Sequence, residues 1–260
     1  MPTSAPEVMS HRPDPLLVLE SVASGYGSGL IVRGVELRAG RGEVVTIVGP
    51  NGSGKSTLLK TIAGHVDAAA GRVLLDGAEI GNLSAERRAR RGIAYVPQEH
   101  EVFSSLTVKE NLLVGGFGLR RRELAEALER VYATYDILRR LERAIAGRLS
   151  GGERKTLAMG RVLMASPSLV LLDEPTSNLA PIPTARLLEV DVPALAATGA
   201  AVLLVEQRAM QAIASSDWVY LLVAGEVAME GTAEDIGSRE DIGRMFLGGA
   251  ARRRGNDDGR

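Results

Sequence analysis

Short apolar runs alternate along the chain with segments whose apolar residues recur at helical spacing. Leu169–Leu172 and Ala201–Val205 are apolar at every position, which is typical of strands covered on both faces of a parallel sheet. The runs predict strands at Leu16–Glu20, Val35–Arg38, Glu43–Val48, Arg72–Leu75, Leu169–Leu172, Ala201–Val205, Trp218–Val223 and Glu226–Glu230, the last two as a hairpin around Gly225. We therefore predict an α/β protein with a parallel core sheet and some antiparallel strands near its start.

Helical spacing appears in four segments: Ser56–Ala63, Arg121–Leu141, Gly152–Met164 and Thr184–Ala197. The second and third lie within a predicted helical insertion at about residues 99–165. Pro193 interrupts the fourth, because proline lacks an N–H and collides with the preceding turn of a helix. We expect that helix to end or bend at Asp191–Val192.

The two ends of the chain differ from its middle. Residues 1–14 contain three prolines and no periodicity, and we expect a disordered arm there. Residues 250–260 are mostly charged and are expected to form a tail. No internal repeat or low-complexity linker divides residues 15–249, which we expect to form one folded unit.

The composition and net charge argue against several kinds of partner and site. The 260 residues carry a net charge of −1, so no overall basic field favours a nucleic-acid partner. Cysteine is absent and the three histidines are far apart, which excludes thiolate metal sites and disfavours histidine ones. The apolar runs are too short to span a bilayer, and the N-terminus lacks the apolar segment of a signal peptide. We expect a soluble, cytoplasmic protein that reaches a membrane only through a partner.

A glycine-rich phosphate loop follows the predicted strand Glu43–Val48 and precedes a helix. Its sequence matches the pattern G-x-x-x-x-G-K-[ST]. Gly52 and Gly54 allow a tight turn whose N–H groups point inward, Lys55 supplies a cation, and the Ser56 hydroxyl suits Mg²⁺. The residues expected to bind nucleotide here are Gly49, Pro50, Asn51, Gly52, Ser53, Gly54, Lys55, Ser56 and Thr57. No N-K-x-D sequence is present to select guanine.

Two carboxylates end the apolar strand Leu169–Leu172. The carboxyl ends of core strands lie beside such a loop, so Asp173 is expected to support Mg²⁺ and Glu174 to act as the general base that polarises the attacking water.

Ser150, Gly151, Gly152 and Glu153 open a predicted helix. Ser150 and Glu153 form a capping-box pattern, but two glycines in a first helical turn weaken the helix and bare its N–H groups. The segment has the character of a second phosphate site without its own lysine or metal ligand. It could only complete a site built elsewhere.

Taken in order, the phosphate loop, Tyr95–Gln98, Leu149–Glu153 and Leu171–Pro175 resemble the ATP-binding subunit of an ABC transporter, over about residues 16–249. The resemblance implies the ABC type of P-loop NTPase fold, with an antiparallel β subdomain and a helical subdomain. It also implies a head-to-tail dimer with a second, homologous or identical ATPase subunit, in which Ser150–Glu153 complete the partner's ATP site. The dimer drives membrane permease subunits from the inner face of the cell membrane.

Three further positions follow from the resemblance. Tyr26 is expected to stack on adenine, and Gln98 to contact Mg²⁺ and link to the permease. Gln207 stands where most relatives have a histidine that reaches the γ-phosphate. A branch that takes up branched-chain amino acids, with urea and amide relatives, resembles this chain at that position. The same branch also resembles this chain at Phe103–Leu112, Leu179–Pro181 and Phe246–Gly249. Members of that branch work with an extracytoplasmic solute-binding protein.

Two alternatives stay open. One is a cassette of a lipid or lipopolysaccharide exporter. The other is a non-transport ABC ATPase, although relatives acting on DNA carry a long insertion and those acting on ribosomes carry two cassettes in one chain. Phe103 is either an exposed contact for a membrane subunit or a buried residue of the helical subdomain.

Overall fold

The computed structural model describes residues 15–99 and 101–238. The arm at 1–14, the tail at 250–260 and the Phe246–Gly249 segment lie outside the described residues. In the described part the strands are β1 Pro15–Tyr26, β2 Gly29–Gly40, β3 Val44–Val48, β4 Ala68–Leu75, β5 Ala78–Glu79, β6 Ile93–Val96, β7 Leu169–Asp173, β8 Ala201–Val205, β9 Trp218–Val223 and β10 Glu226–Thr232.

The core is a six-stranded sheet in the order β10-β9-β3-β8-β7-β6. Its strands are parallel except β10, which pairs antiparallel with β9 in the predicted hairpin. Every residue of β3, β7 and β8 is buried, because helices cover both faces of the sheet. The α/β fold with a parallel core is confirmed.

The second sheet is antiparallel, in the order β2-β1-β4-β5. β1 and β2 are each 12 residues long, well beyond the predicted Leu16–Glu20 and Val35–Arg38. Their pairing passes through several register shifts, and Ser21 has a φ of +49°. These irregularities interrupt the polar–apolar alternation, which is why the pattern located only part of each strand.

The helices in the described part are α1 Lys55–Ala63, α2 Ala85–Arg90, α3 Val108–Gly115, α4 Arg121–Thr134, α5 Asp136–Arg140, α6 Gly151–Ala165, α7 Pro181–Arg186, α8 Val192–Ala197, α9 Ala209–Ala214 and α10 Ala233–Gly237. α1 packs Leu58, Leu59 and Ile62 into the apolar layer between the two sheets. On the other face of the core sheet lie α3 to α6, within the predicted helical region. None of the described helices is long and apolar enough to cross a membrane.

The prediction of one continuous helix over Arg121–Leu141 was wrong. The chain leaves helical geometry at Tyr135, where φ is −127° and ψ is 78°, between α4 and α5. The Tyr135 side chain is buried, and its hydroxyl bonds to the carboxylate of Asp191. A tertiary contact of this kind is invisible to helical periodicity.

Pro193 changes the hydrogen-bond register of its helix. A π-helical turn, Leu187–Asp191, joins α7 to α8, and the N–H of Val192 bonds to the carbonyl of Leu187, five residues back. Pro193 then falls in the first turn of α8, where the missing N–H costs least. The chain thus stays helical through Asp191 and Val192, where an end or a bend was expected, and changes there from a π-helical to an α-helical turn.

Candidate functional site

The phosphate loop joins β3 to α1. Gly52 and Gly54 have φ values of +79° and +100°, in the left-handed region that favours glycine. Gly49 passes so close to β9 that a Cβ would lie 2.1 Å from the carbonyl oxygen of Leu222. Gly54 caps α1 without a side-chain hydrogen bond, and the first turn of that helix carries no acidic residue. Its N–H groups and positive dipole end therefore remain available to an anion.

Lys55 is buried, with 4% of its surface exposed. Its Nζ donates to the carbonyl oxygens of Gly49 and Pro50, over 2.8 and 3.0 Å. Burial lowers the pKa of Lys55, and the negative charges of Glu174, Asp173 and Glu206 oppose that effect. The loop therefore curls around a cation whose only described hydrogen-bond partners are neutral carbonyls, which phosphate oxygens could replace.

Asp173 lies at the end of β7 with each carboxylate oxygen engaged. The Ser56 hydroxyl donates to Oδ1 over 2.7 Å, and the Tyr95 hydroxyl donates to Oδ2 over 3.1 Å. The described residues contain no group of three or more His, Cys, Asp or Glu side chains that could hold a metal alone. A hydroxyl, a carboxylate and the nearby Gln98 amide are hard oxygen donors, and they fit Mg²⁺ bound jointly by the protein and phosphates.

The Glu174 carboxylate accepts hydrogen bonds from two side-chain amides that are distant in the sequence. Gln98 Nε2 donates to its Oε2 over 2.8 Å. Gln207 Nε2 donates to Oε1 over 2.9 Å and to Oε2 over 3.0 Å. Glu174 has a φ of +46°, which is costly for a residue with a side chain and turns the chain sharply after β7. The carboxylate is buried, and both side-chain amides that donate to it are neutral.

Gln207 does not cap the helix that follows it. α9 begins at Ala209, its N-cap is Arg208, and no side chain caps it. The amide of Gln207 instead faces a cavity of about 350 Å³ over the loop, lined by Ile31, Asn51, Gly52, Gly54, Lys55, Ser56, Thr57, Glu174 and Gln207.

Tyr26 lies outside that cavity. It is 54% exposed at the end of β1 and lines a neighbouring cavity of about 400 Å³ with His65 and Asp67. An exposed ring beside a cavity has the geometry for stacking on a planar ligand.

Ser150, Gly151, Gly152 and Glu153 also lie away from the phosphate-loop cavity. The Ser150 hydroxyl accepts from the Glu153 N–H over 3.3 Å, and the Glu153 carboxylate accepts from the Ser150 N–H over 2.8 Å. These bonds lower the pKa of Glu153. The predicted capping box is therefore present at the start of α6.

The two glycines of this turn are not required by the described packing. A Cβ at Gly152 would meet Pro183 at 3.7 Å, an ordinary contact, and one at Gly151 would meet only Arg154, at 4.0 Å. Gly160, further along α6, is different, because a Cβ there would lie 2.8 Å from Leu138 and 3.0 Å from Leu112. The first turn of α6 is thus open to a group from outside the chain.

Sequence reasoning assigned no role to Tyr95 or Glu206. Glu206 is 1% exposed and accepts from the N–H and the hydroxyl of Thr176, both over 2.8 Å, and burial raises its pKa. An acidic residue directly after the apolar run Ala201–Val205 was the signal that could have drawn attention to it.

Comparison with known proteins agrees with this geometry. Residues 32–177 match the family described as ABC transporter. The chain is 38% identical to the high-affinity branched-chain amino acid transport ATP-binding protein BraG of Pseudomonas aeruginosa, over 90% of this chain and 100% of that protein. It is 37% identical to the probable branched-chain amino acid transport ATP-binding protein LivF of Archaeoglobus fulgidus, over 86% and 95%.

Other relatives have a different named role. The lipopolysaccharide export system ATP-binding protein LptB of Haemophilus influenzae is 33% identical over 90% of this chain and 97% of its own length. Among solved structures, the ADP conformation of MJ1267, an ATP-binding cassette of an ABC transporter, superposes with a TM-score of 0.80 at 28% identity. That match covers 90% of this chain and 99% of the other. The chain therefore belongs to the family of ABC transporter ATP-binding subunits, and it is an ATPase.

Proposed function

We propose that this ATPase powers an importer for branched-chain or related amino acids. The observation that carries the catalytic part is the pair of amides, Gln98 and Gln207, on the Glu174 carboxylate beside the phosphate loop. The importer part rests on similarity to BraG and LivF and on glutamine at position 207.

The phosphates of ATP bind in the loop, where Lys55 and the N–H groups of α1 neutralise them. Ser56, Gln98 and Asp173 would hold Mg²⁺, which when bound supplies positive charge against the phosphate oxygens. Glu174 orients the attacking water and accepts its proton, and Gln207 keeps the carboxylate aimed into the cavity. Tyr26 stacks on the adenine ring.

The second half of each site comes from another subunit. Ser150, Gly151, Gly152 and Glu153 open α6, and the two glycines place no side chain over the first turn, although no described packing requires glycine at either position. In a head-to-tail dimer with a homologous or identical ATPase subunit, they complete the partner's ATP site. ATP thereby joins the two subunits.

A membrane permease binds in a groove of about 620 Å³ on the side of the helical region. Its rim carries three exposed apolar side chains, Phe103 at 46%, Val114 at 41% and Phe117 at 86% exposure. The Arg161 guanidinium stacks over the Phe103 ring at 4.7 Å and holds it at the surface. A helix with an apolar face fits this groove, and its binding keeps the ATPase peripheral on the inner face of the cell membrane.

The catalytic part is tested with Glu174→Gln. Glutamine keeps the size of the side chain but is a far poorer base. ATP binding should persist while hydrolysis slows on the order of 10²-fold or more. The variant should accumulate as an ATP-dependent dimer in size-exclusion chromatography. Normal turnover would place the base elsewhere, and a persistent ATP-bound monomer would contradict the head-to-tail pair.

The groove is tested with Phe117→Ser, with Ile182→Ser as the matched control. Both side chains are apolar and more than four-fifths exposed, at 86% and 84%, but only Phe117 lines the groove. Basal ATPase activity should survive in both variants. Assembly with the permease, measured by co-purification of the two tagged proteins, should fail only for Phe117→Ser. Equal behaviour of the two variants would remove the groove from the proposal.

The transported solute separates this proposal from its alternative, a lipid or lipopolysaccharide exporter cassette, which similarity to LptB favours. In cells that lack the chain, the wild type should restore uptake of radiolabelled leucine, isoleucine and valine through an extracytoplasmic solute-binding protein, and Glu174→Gln should not. If cells that lack the chain instead take up these amino acids normally and lose surface lipopolysaccharide, the exporter alternative is favoured.

A further inference from the structure

Tyr95 reaches the Asp173 carboxylate from the neighbouring strand. β6 and β7 are parallel, and Tyr95 pairs in register with Leu171, two residues before Asp173. The Tyr95 hydroxyl donates to Oδ2 of Asp173 over 3.1 Å, while Ser56 donates to Oδ1 over 2.7 Å. Each carboxylate oxygen therefore has its own donor, and rotation of the carboxylate would break both bonds.

Tyr95 is held both at its hydroxyl, by Asp173, and at its ring. Its ring packs against His65 with the ring centroids 5.5 Å apart. Burial, together with the charge of Asp173, raises the pKa of Tyr95 well above its ordinary value. The ring contact with His65 and the hydrogen bond to Asp173 together fix the position of the hydroxyl.

We propose that Tyr95 is a positioning residue for the magnesium site: its hydroxyl fixes the rotation of Asp173 and so orients the carboxylate relative to Ser56. This rests on the proposed function, since it requires Asp173 to support Mg²⁺. Tyr95 acts through Asp173 and needs no contact with ATP. Mutation of a residue that hydrogen-bonds to a metal-binding carboxylate commonly lowers metal affinity by about 10- to 100-fold.

The test uses Tyr95→Phe, which removes one oxygen atom and keeps the ring against His65. ATP binding is measured by titration calorimetry, first in EDTA and then at increasing Mg²⁺ concentration. Affinity in EDTA should equal that of the wild type, because Lys55 and the loop are unchanged. Mg²⁺ should still raise ATP affinity in Tyr95→Phe. The variant should need about 10-fold more Mg²⁺ than the wild type to reach half of that increase.

Tyr132→Phe is the matched control. Its hydroxyl also lies near a carboxylate, that of Glu142 at 3.4 Å, but in the helical region outside the phosphate-loop cavity. This variant should keep the wild-type Mg²⁺ requirement. A Tyr95→Phe protein with an unchanged Mg²⁺ requirement would overturn the proposal, and so would an equal loss of ATP affinity in EDTA.

Ser56→Ala separates failure of this inference from failure of the metal assignment. If Ser56→Ala raises the Mg²⁺ requirement and Tyr95→Phe does not, only the role of Tyr95 is wrong. If neither changes it, the metal site itself is misassigned. Where both act, the double variant should show less than the product of the single effects, because both hydroxyls orient one carboxylate.

Discussion

Gln207 donates its side-chain amide to both carboxylate oxygens of Glu174, over 2.9 and 3.0 Å. The two residues lie 33 positions apart in the chain. They meet because β7 and β8 are adjacent parallel strands, with Asp173 paired in register to Val205. The N–H of Glu174 also donates to the Val205 carbonyl over 2.9 Å. The carboxyl ends of two strands thus bring the Glu174 carboxylate and the Gln207 amide to one edge of the sheet.

Truncation of Gln207 should slow hydrolysis. Gln207→Ala removes the donors that aim the Glu174 carboxylate, and a loss of about 1–3 kcal/mol corresponds to roughly 10- to 10²-fold in rate. ATP affinity should change little. Gln211→Ala, at an exposed glutamine on α9, is the control. Steady-state rates check this, and an unchanged rate for Gln207→Ala would remove Gln207 from the mechanism.

Histidine at position 207 should restore much of that rate and add a dependence on pH. Imidazole gains a charge near a pKa of about 6.5, whereas an amide does not titrate. The wild-type rate should therefore vary less than that of Gln207→His between about pH 5.5 and about pH 8.5. Parallel profiles for the two proteins would contradict this prediction.

Lys55→Ala should abolish tight ATP binding and leave the fold intact. Lys55 is the buried cation of the loop, and its removal leaves the loop with only N–H dipoles against the phosphate charge. We expect affinity to fall by about 10²-fold or more, since each 1.4 kcal/mol lost is tenfold. Titration calorimetry measures it, with Lys60→Ala as a control on the same helix. Normal binding by Lys55→Ala would refute the site.

The glycines of α6 should separate activity from stability. Gly152→Ala meets only ordinary contacts at 3.7 Å, so the free energy of unfolding should hold or rise slightly, while ATPase activity in the dimer falls. Gly160→Ala places a Cβ 2.8 Å from Leu138 and should destabilise the protein by about 1–3 kcal/mol. Urea denaturation and ATPase assays check both. Equal destabilisation by the two changes would indicate that Gly152 serves packing.

Asp191 should make stability depend on pH. Burial raises its pKa, with Arg186 at 3.9 Å and the Tyr135 hydroxyl acting in the opposite direction. A raised native pKa means that the folded state binds the proton more tightly. The contribution of Asp191 to stability is therefore fully present below the ordinary carboxyl pKa and is lost as pH rises through the native pKa.

Asp191→Asn removes this titration and can still accept the Tyr135 hydrogen bond. Its free energy of unfolding, relative to the wild type, should increase between about pH 4 and about pH 7, since carboxyl groups titrate from a pKa of about 3.9 upward. Urea denaturation across that range measures the difference. A difference that stays constant with pH would show that the ionisation of Asp191 does not influence folding.

Local pattern was enough for much of the fold. β3, β7 and β8 are apolar at nearly every position because both faces of the sheet are covered, and that burial is visible in the residues themselves. The capping box of Ser150 and Glu153 was also readable, because its partners are three residues apart. The phosphate loop with Lys55 and Ser56 is a local motif of the same kind.

The tertiary structure decided what depends on distant partners. Helical periodicity runs through Tyr135, but the chain leaves helical geometry at that residue, whose buried hydroxyl bonds to Asp191. Residue types alone do not bring the Gln98 and Gln207 amides onto Glu174, or the Tyr95 hydroxyl onto Asp173, since strand order and register set those meetings. A sequence records which side chains can donate or accept a hydrogen bond, whereas the pairing of strands remote in the chain determines which of them lie within hydrogen-bonding distance of one another.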